Sequence, residues 1–242
     1  VVLSRELKKF FRERSRLFST IARPLIWLAL VGGGMSRFVP VEGGINYLQF
    51  FFPGILAMAV LFGSIFSAIS IIWDKEFGYM KEMLVAPVSR TSIVIGKALS
   101  GTTTSSIQAI LLLLLVPVIG LHPSLENIIA AGLVSVLVAF TISTIGILIA
   151  TFYSSFESFS VIMNFIVMPM FFLSGAMYPV KKLPSLLKPL VFLNPLSYGV
   201  DALKHCLLPL GGEMPLGLDL MVLFGVGVSF TYLGTMAFNR RV

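Results

Sequence analysis

Ile107-Gln108-Ala109-Ile110-Leu111-Leu112-Leu113-Leu114-Leu115-Val116 lies inside a run of 28 residues, 98 to 125, that carries no charge. The stretch is apolar all round, whereas a membrane barrel would show segments of about ten residues alternating between polar and apolar. A bilayer-spanning helix needs about 20 apolar residues. Four further uncharged runs reach that length: 43 to 73 (31 residues), 127 to 156 (30), 158 to 180 (23) and 220 to 239 (20). They predict five spans. A sixth candidate, Leu17 to Val39, holds Arg23 and Arg37 with 13 uncharged residues between them, and it crosses if both arginines snorkel toward opposite head-group layers. The expectation is an all-α polytopic membrane protein with six transmembrane helices.

Composition points the same way. Of 242 residues, 57% are hydrophobic and 12% charged, about half the charge of an ordinary soluble domain. A soluble enzyme, a nucleic-acid-binding domain and a disordered chain are therefore not expected. The net charge of +7 reads as a topology signal and an attraction to anionic lipid. With six spans and both ends inside, 13 of the 18 Lys and Arg are cytoplasmic, and Arg37, Lys181, Lys182, Lys188 and Lys204 are outside, in line with the positive-inside bias. Five spans with a cytoplasmic N-terminus would divide them 12 to six, so charge alone does not separate the two topologies. Positions 1 to 16 are basic throughout, so a secretory signal is not expected. The chain opens on Val1, which predicts that native residues precede it.

Three segments break the apolar pattern. Leu3, Leu7, Phe10, Phe11, Leu17 and Phe18 recur at helical spacing opposite Arg5, Lys8, Lys9, Arg12 and Arg16, which predicts a helix lying in the membrane interface over 1 to 18. From Asp74 to Arg90 charges cluster, yet Phe77, Met80, Met83 and Leu84 recur at three- and four-residue spacing. A short amphipathic helix ended by Pro87 fits that pattern. Between Pro179 and Pro215 lie six of the 13 prolines in an otherwise apolar stretch, which suits two short helices dipping into the outer leaflet and turning back.

Chemistry-bearing clusters are sparse. Cys206 is the single cysteine and reads as a packed thiol. His122 and His205 are assigned to separate loops, with no carboxylate or thiol cluster at ligand spacing, so no metal site is expected. Gly96-Lys97 lacks the glycine of a phosphate-binding loop, and Glu157 has no evident partner for proton coupling. Gly227-Val228-Ser229-Phe230 superficially resembles the nucleophile motif of an intramembrane serine protease. Its base would have to be His205, which precedes the serine, so small-residue packing is the better reading. An ion-coupled secondary transporter is the nearer alternative, although the five long spans hold no ionisable group near the membrane midplane.

Glu76-Phe77-Gly78, then Lys81-Glu82-Met83-Leu84-Val85-Ala86-Pro87-Val88-Ser89-Arg90, is similar to the cytoplasmic loop after the second span of ABC-2-type export permeases. Leu173-Ser174-Gly175-Ala176-Met177-Tyr178-Pro179, Leu183-Pro184, Asn194-Pro195-Leu196-Ser197-Tyr198 and Asp201 resemble the same family's fifth span and outer re-entrant hairpin. The branch with antibiotic-resistance and Nod-factor export permeases is the most similar. Lys204 stands where that family usually has Arg or Gln, and Tyr79 where a small polar residue is common.

The resemblance implies one transmembrane domain over 1 to 242. Its parts are an interfacial helix (1–18), spans at 19–39, 50–73, 93–119, 126–152, 158–178 and 217–239, a coupling helix at 74–90 and an outer hairpin at 179–216. It implies six spans with both ends in the cytoplasm of a prokaryotic cell, in its inner or plasma membrane. Two permease copies would pair as a homodimer, each docked on a separate ATPase subunit that binds the ATP and Mg, so this chain would be no enzyme by itself and hold no cofactor. Asp74, Glu76, Glu82 and Arg90 would dock on the ATPase, with Met80, Met83 and Leu84 as the apolar seat and Gly78 and Pro87 setting local shape. Pro184, Asn194, Pro195, Tyr198, Asp201 and Lys204 would shape the outer gate. Asn164, Phe165, Met170, Phe171 and Phe172 are the pathway candidates. The substrate class would be an amphiphile: a drug, lipid or glycolipid.

Overall fold

The computed structural model describes residues 22–40, 44–80, 85, 89–153 and 155–241, apart from the side chains of Met163 and Arg241. The segment 1 to 18, with its predicted interfacial helix, lies outside the described residues. So do Lys81, Glu82, Met83, Leu84 and Pro87 of the predicted coupling helix.

The described residues are helical with no strand. Helix α1 (Ala22–Gly33) includes a π-helical stretch, Leu28–Gly33. Helix α2 (Tyr47–Glu76) starts at a reciprocal cap, in which Asn46 Oδ1 accepts from the Gln49 N–H and Gln49 Oε1 accepts from the Asn46 N–H; two otherwise orphaned donors are thus satisfied. It ends where Gly78 adopts φ +80°, the left-handed conformation that glycine takes most easily just past a helix. Helices α3 (Arg90–Leu113) and α4 (Leu125–Phe152) are capped by the hydroxyls of Ser89 and Ser124. Helix α5 (Phe156–Phe172) widens into a π-helical stretch at Met163–Val167, immediately before Pro169. Proline offers no N–H to the carbonyl four residues back and its ring crowds that carbonyl, and the wide turn relieves both. Short α6 (Lys188–Leu193) and α7 (Pro195–Leu207) follow, then α8 (Leu216–Arg241).

Three of these helices, α2, α4 and α8, are long and apolar enough to cross a membrane. Helix α3 has the length, with 24 residues, but its centre reads Gly101-Thr102-Thr103-Thr104-Ser105-Ser106. Uncharged is not the same as apolar. These hydroxyls bond back to carbonyls one turn earlier, Thr102 to Ala98, Thr103 to Leu99, Thr104 to Ser100 and Ser106 to Thr102, which removes much of the cost of placing them away from water. Ser64 Oγ of α2 donates to Ser105 Oγ of α3 at 3.0 Å, and Thr141 Oγ1 of α4 donates to the Leu223 carbonyl of α8 at 2.9 Å. Such bonds hold helices together where lipid and side chain are equally apolar.

Helix α2 forms the centre, with Phe51, Phe52, Ile55, Leu56 and Leu61 fully buried. It packs against α1, α3, α4, α5 and α7, and α4 in turn touches α3, α7 and α8. Helix α8 instead leaves Met221, Phe224, Val228 and Tyr232 exposed, a stripe that only lipid or another subunit would cover. The antiparallel course brings the end of α2, both ends of the 74–90 segment, the end of α4 and the end of α8 together. The opposite end of the bundle carries the 173–215 hairpin.

Candidate functional site

At the first end, polar contacts tie the flanks of the 74–90 segment to three helices. Lys97 Nζ of α3 lies 2.5 Å from Asp74 Oδ2 of α2 and donates to Ser70 Oγ at 2.9 Å. Both charged side chains are nearly sealed, at 3% and 10% exposure. Lys75 Nζ donates to the carbonyls of Ala150, Thr151 and Tyr153 at 3.2, 2.9 and 3.4 Å. Those are the last carbonyls of α4, where a cation meets the negative end of the helix dipole. Arg90 donates to the Asn239 carbonyl in α8 at 2.8 Å. Met80 is buried at 3% exposure, while Phe77, Tyr79 and Val85 are exposed at 70, 53 and 87%. The segment is thus anchored at its flanks and presents apolar side chains outward.

Of the predicted docking residues, Glu76 and Arg90 lie on the surface. Asp74 points into the bundle toward Lys97, and Met80 packs against the chain's own core. Lys75 and Lys97 escaped the sequence reading. A signal existed, because Asp74 and Lys97 end two consecutive uncharged runs, and antiparallel helices bring such ends to one level.

At the second end the motif residues tie a backbone knot. The turn Leu173–Met177 is buried at Ser174 and Ala176 and passes Gly175 at φ +75°. Lys204 Nζ donates to the Gly175 carbonyl at 2.7 Å and sits 4.4 Å from the centre of the Phe50 ring. Tyr47 donates to the Met177 carbonyl at 3.0 Å, and Ser197 to that of Leu173 at 3.4 Å. Asn194 works twice: its Nδ2 donates to the Met170 carbonyl at 2.6 Å, and its Oδ1 caps α7 by accepting from the Leu196 N–H. Tyr198 donates to the Phe192 carbonyl and Tyr178 to that of Phe172. Burial lowers the Lys204 ammonium to about 8, with Glu213 and Asp201 opposing the fall. Pro195 occupies the first turn of α7, where a missing N–H costs nothing, and Pro184 is exposed. Asn194→Ala removes both a cap and the donor to the half-buried Met170 carbonyl, so it is expected to cost about 2 kcal/mol. Thermal unfolding of the purified variant in detergent would read this as a lowered midpoint.

Between α1, α2 and α5 lies a cavity of about 450 Å³. Trp27, Phe62, Phe66, Phe159 and Phe171 line it, and the Arg23 guanidinium lies 5.6 and 5.7 Å from the Phe62 and Phe66 ring centres. Asn164, Phe171 and Phe172 of the pathway set border this cavity, the first with its Nδ2 bonded to the Ser160 carbonyl one turn back. Phe165 is 76% exposed and Met170 half-buried, and neither lines the cavity. His205 lies within helix α7, not in a loop, and its Nε2 sits 2.6 Å from the Met214 carbonyl. Ser229 stands three to four turns into α8 on an exposed face, so the His–Ser pairing of the protease reading does not form.

Comparison with known proteins places both ends in one context. The family model described as ABC-2 type transporter matches residues 1–208. The protein ycf38 of Cyanophora paradoxa, which bears the name of a transport permease, is 32% identical over 84% of this chain and 72% of its own. The inner membrane transport permease YadH of Escherichia coli (strain K12) is 25% identical over 95% of this chain and 88% of its own. Nodulation protein J of Rhizobium leguminosarum bv. viciae is 22% identical over 79% and 74%. A match running from residue 1 to the end of α7 takes in the anchored segment and the hairpin knot alike, so the chain belongs to the ABC-2 type transporter family, as one of its membrane permeases.

Proposed function

We propose that this permease is the membrane half of an ATP-driven exporter, with its ATPase a separate chain. Two copies pair, six spans each, with both termini in the cytoplasm, and each copy seats its 74–90 segment on one ATPase subunit. ATP and Mg are held by that partner. The observation that carries this reading is the anchoring of the segment: Asp74 and Lys75 join it to α3 and α4, and Arg90 joins it to α8. A push on the exposed Phe77, Tyr79 and Val85 is therefore delivered to helices that run to the hairpin end. The membrane part needs two packings of near-equal energy, and closure of the ATPases on ATP selects between them.

The cavity supports an amphiphilic substrate. Its aromatic walls suit an acyl or ring system, and Arg23 suits an acidic head group. Phe159 and Phe171 then present the apolar surface, and the buried Leu173–Met177 turn forms the outer barrier.

The test is reconstitution in vesicles with the ATPase that co-purifies from native membranes, using a fluorescent anionic amphiphile as probe. Wild type is expected to export only with ATP and the partner, and Glu82→Lys to lower export at least tenfold while leaving insertion unchanged. Export by the permease alone under a proton gradient would replace this reading with an ion-coupled carrier.

A further inference from the structure

Asp219 opens the last helix with its residue fully buried, and neither carboxylate oxygen has a hydrogen-bond partner among the described residues. A buried carboxylate facing a second one is hard to tolerate unless a cation or a proton comes between them. Its neighbours are also ligand atoms. One donor atom each from Asp201, His205 and Asp219 lies within 4.8 Å of the other two. Asp201 and His205 are four residues apart on α7, one turn apart on one face, with His205 Nε2 3.8 Å from Asp201 Oδ2. The Met214 carbonyl accepts from His205 Nε2–H at 2.6 Å; an ion that displaces this proton finds there a third oxygen beside the two carboxylates.

The surrounding chain is shaped to these groups. The Asp201 carboxylate accepts from the N–H groups of Glu213 and Met214 at 2.8 to 3.0 Å, which fixes its orientation as outer hydrogen bonds do for metal ligands. The loop passes so close that a Cβ on Gly212 would sit 2.5 Å from Asp201 Oδ2 and 2.6 Å from His205 Nε2. Only glycine lets the backbone lie there. Metal–ligand distances of about 2.0 to 2.2 Å put ligand atoms about 3 to 4 Å apart, so small side-chain rotations close the observed spacing onto an ion.

We propose that Asp201, His205 and Asp219 bind one first-row divalent cation of the Zn²⁺ or Mn²⁺ type, which staples hairpin helix α7 to the start of α8. Two carboxylates, an imidazole and a carbonyl form a nitrogen–oxygen set suited to such ions, and the imidazole argues against Mg²⁺ or Ca²⁺. The site does not depend on coupling to an ATPase and would stand if that reading failed. An ion here neutralises Asp219 and adds a directional tie between two helices that already pack against each other.

The probes are Zn²⁺ alone and Co²⁺ alone, added to chelator-treated full-length chain in detergent. The expected result is about one Zn²⁺ per chain by elemental analysis after desalting, Co²⁺ d–d absorption on titration, and a Zn²⁺-dependent rise in the unfolding midpoint. Asp219→Asn and His205→Gln are each expected to weaken binding at least tenfold and abolish that rise. Asp219→Asn should fold without metal at least as well as wild type, because it sheds an uncompensated charge, and His205→Gln provides a second, partly exposed position. Failure to bind stoichiometrically, or binding unchanged in both variants, overturns the site. A wild type blind to metal but stabilised by Asp219→Asn overturns it too, in favour of a proton shared between Asp201 and Asp219.

Discussion

Lys97→Met is expected to destabilise the protein by about 3 to 5 kcal/mol, the cost of breaking a buried ion pair from one side. Lys97 Nζ is 2.5 Å from Asp74 Oδ2, and both side chains are nearly sealed from solvent. With the ammonium gone, the Asp74 carboxylate stays buried at the end of α2 and loses its contact at 2.5 Å. The loss is comparable to the whole stability of a marginal domain. Asp74→Asn should cost less than Lys97→Met, since an amide can still bond, and Asp74→Leu/Lys97→Met together should recover most of the loss because no charge remains buried. Thermal unfolding of wild type, Asp74→Leu, Lys97→Met and Asp74→Leu/Lys97→Met in one detergent forms a double-mutant cycle. A cycle with no interaction energy would mean that the pair is not formed in the protein. If the anchored segment acts as a lever, Asp74→Leu/Lys97→Met should be stable yet export poorly, since an apolar contact replaces a directional one.

The all-helical class was legible because the bilayer leaves so few choices: every backbone group must bond within its own segment, and the uncharged runs exclude the barrel pattern. Two things were not legible from charge gaps. Gly101 to Ser106 carries no charge and so counted toward a span, yet its hydroxyls keep α3 below the apolarity of α2, α4 and α8. Helix α5 ends at Phe172, short of its uncharged run, because the turn that follows passes Gly175 at φ +75° and leaves helical geometry. A composition window sees neither event.

The two ends differ in the same way. Asn194, Tyr198, Asp201 and Lys204 stood out as a motif, but their task is visible only in three dimensions: each one bonds backbone groups elsewhere in the 170–214 stretch, Asn194 the Met170 carbonyl, Tyr198 that of Phe192, Asp201 the N–H groups of Glu213 and Met214, and Lys204 the Gly175 carbonyl. Asp201 and His205 are four apart, a spacing that reads as one helical face only once 195 to 207 is known to be helix. Assigned to a loop, His205 seemed isolated. Asp219 seemed a mere boundary of the last span, since nothing in one dimension brings it beside Asp201.

Gly54→Leu is the second change with a large expected effect, because it strikes the knot from the α2 side. A Cβ at position 54 would lie 2.6 Å from Ala176 Cβ, and 2.9 Å from both the Ala176 Cα and its carbonyl oxygen. No rotamer moves any of the three, since two are backbone and the alanine Cβ is fixed by it. The turn cannot back away easily either. Lys204 holds the Gly175 carbonyl, Tyr47 the Met177 carbonyl and Ser197 the Leu173 carbonyl, and Gly175 at φ +75° leaves little room to rearrange. Relief must come from shifting α2 against the hairpin, which breaks several of these bonds at once. Overpacking of a rigid core costs about 1 to 3 kcal/mol, and Leu is expected at or above the upper end, with Ala nearer the middle. A rescue experiment separates this cause from a general intolerance of α2. Gly54→Ala/Ala176→Gly removes the 2.6 Å contact but keeps both at 2.9 Å, so the unfolding midpoint should return only part of the way to wild type. Full rescue would show that the side chain alone forbids residue 54 its Cβ. No rescue would show that the backbone approach carries the whole penalty, and in either case the knot and α2 are a single unit.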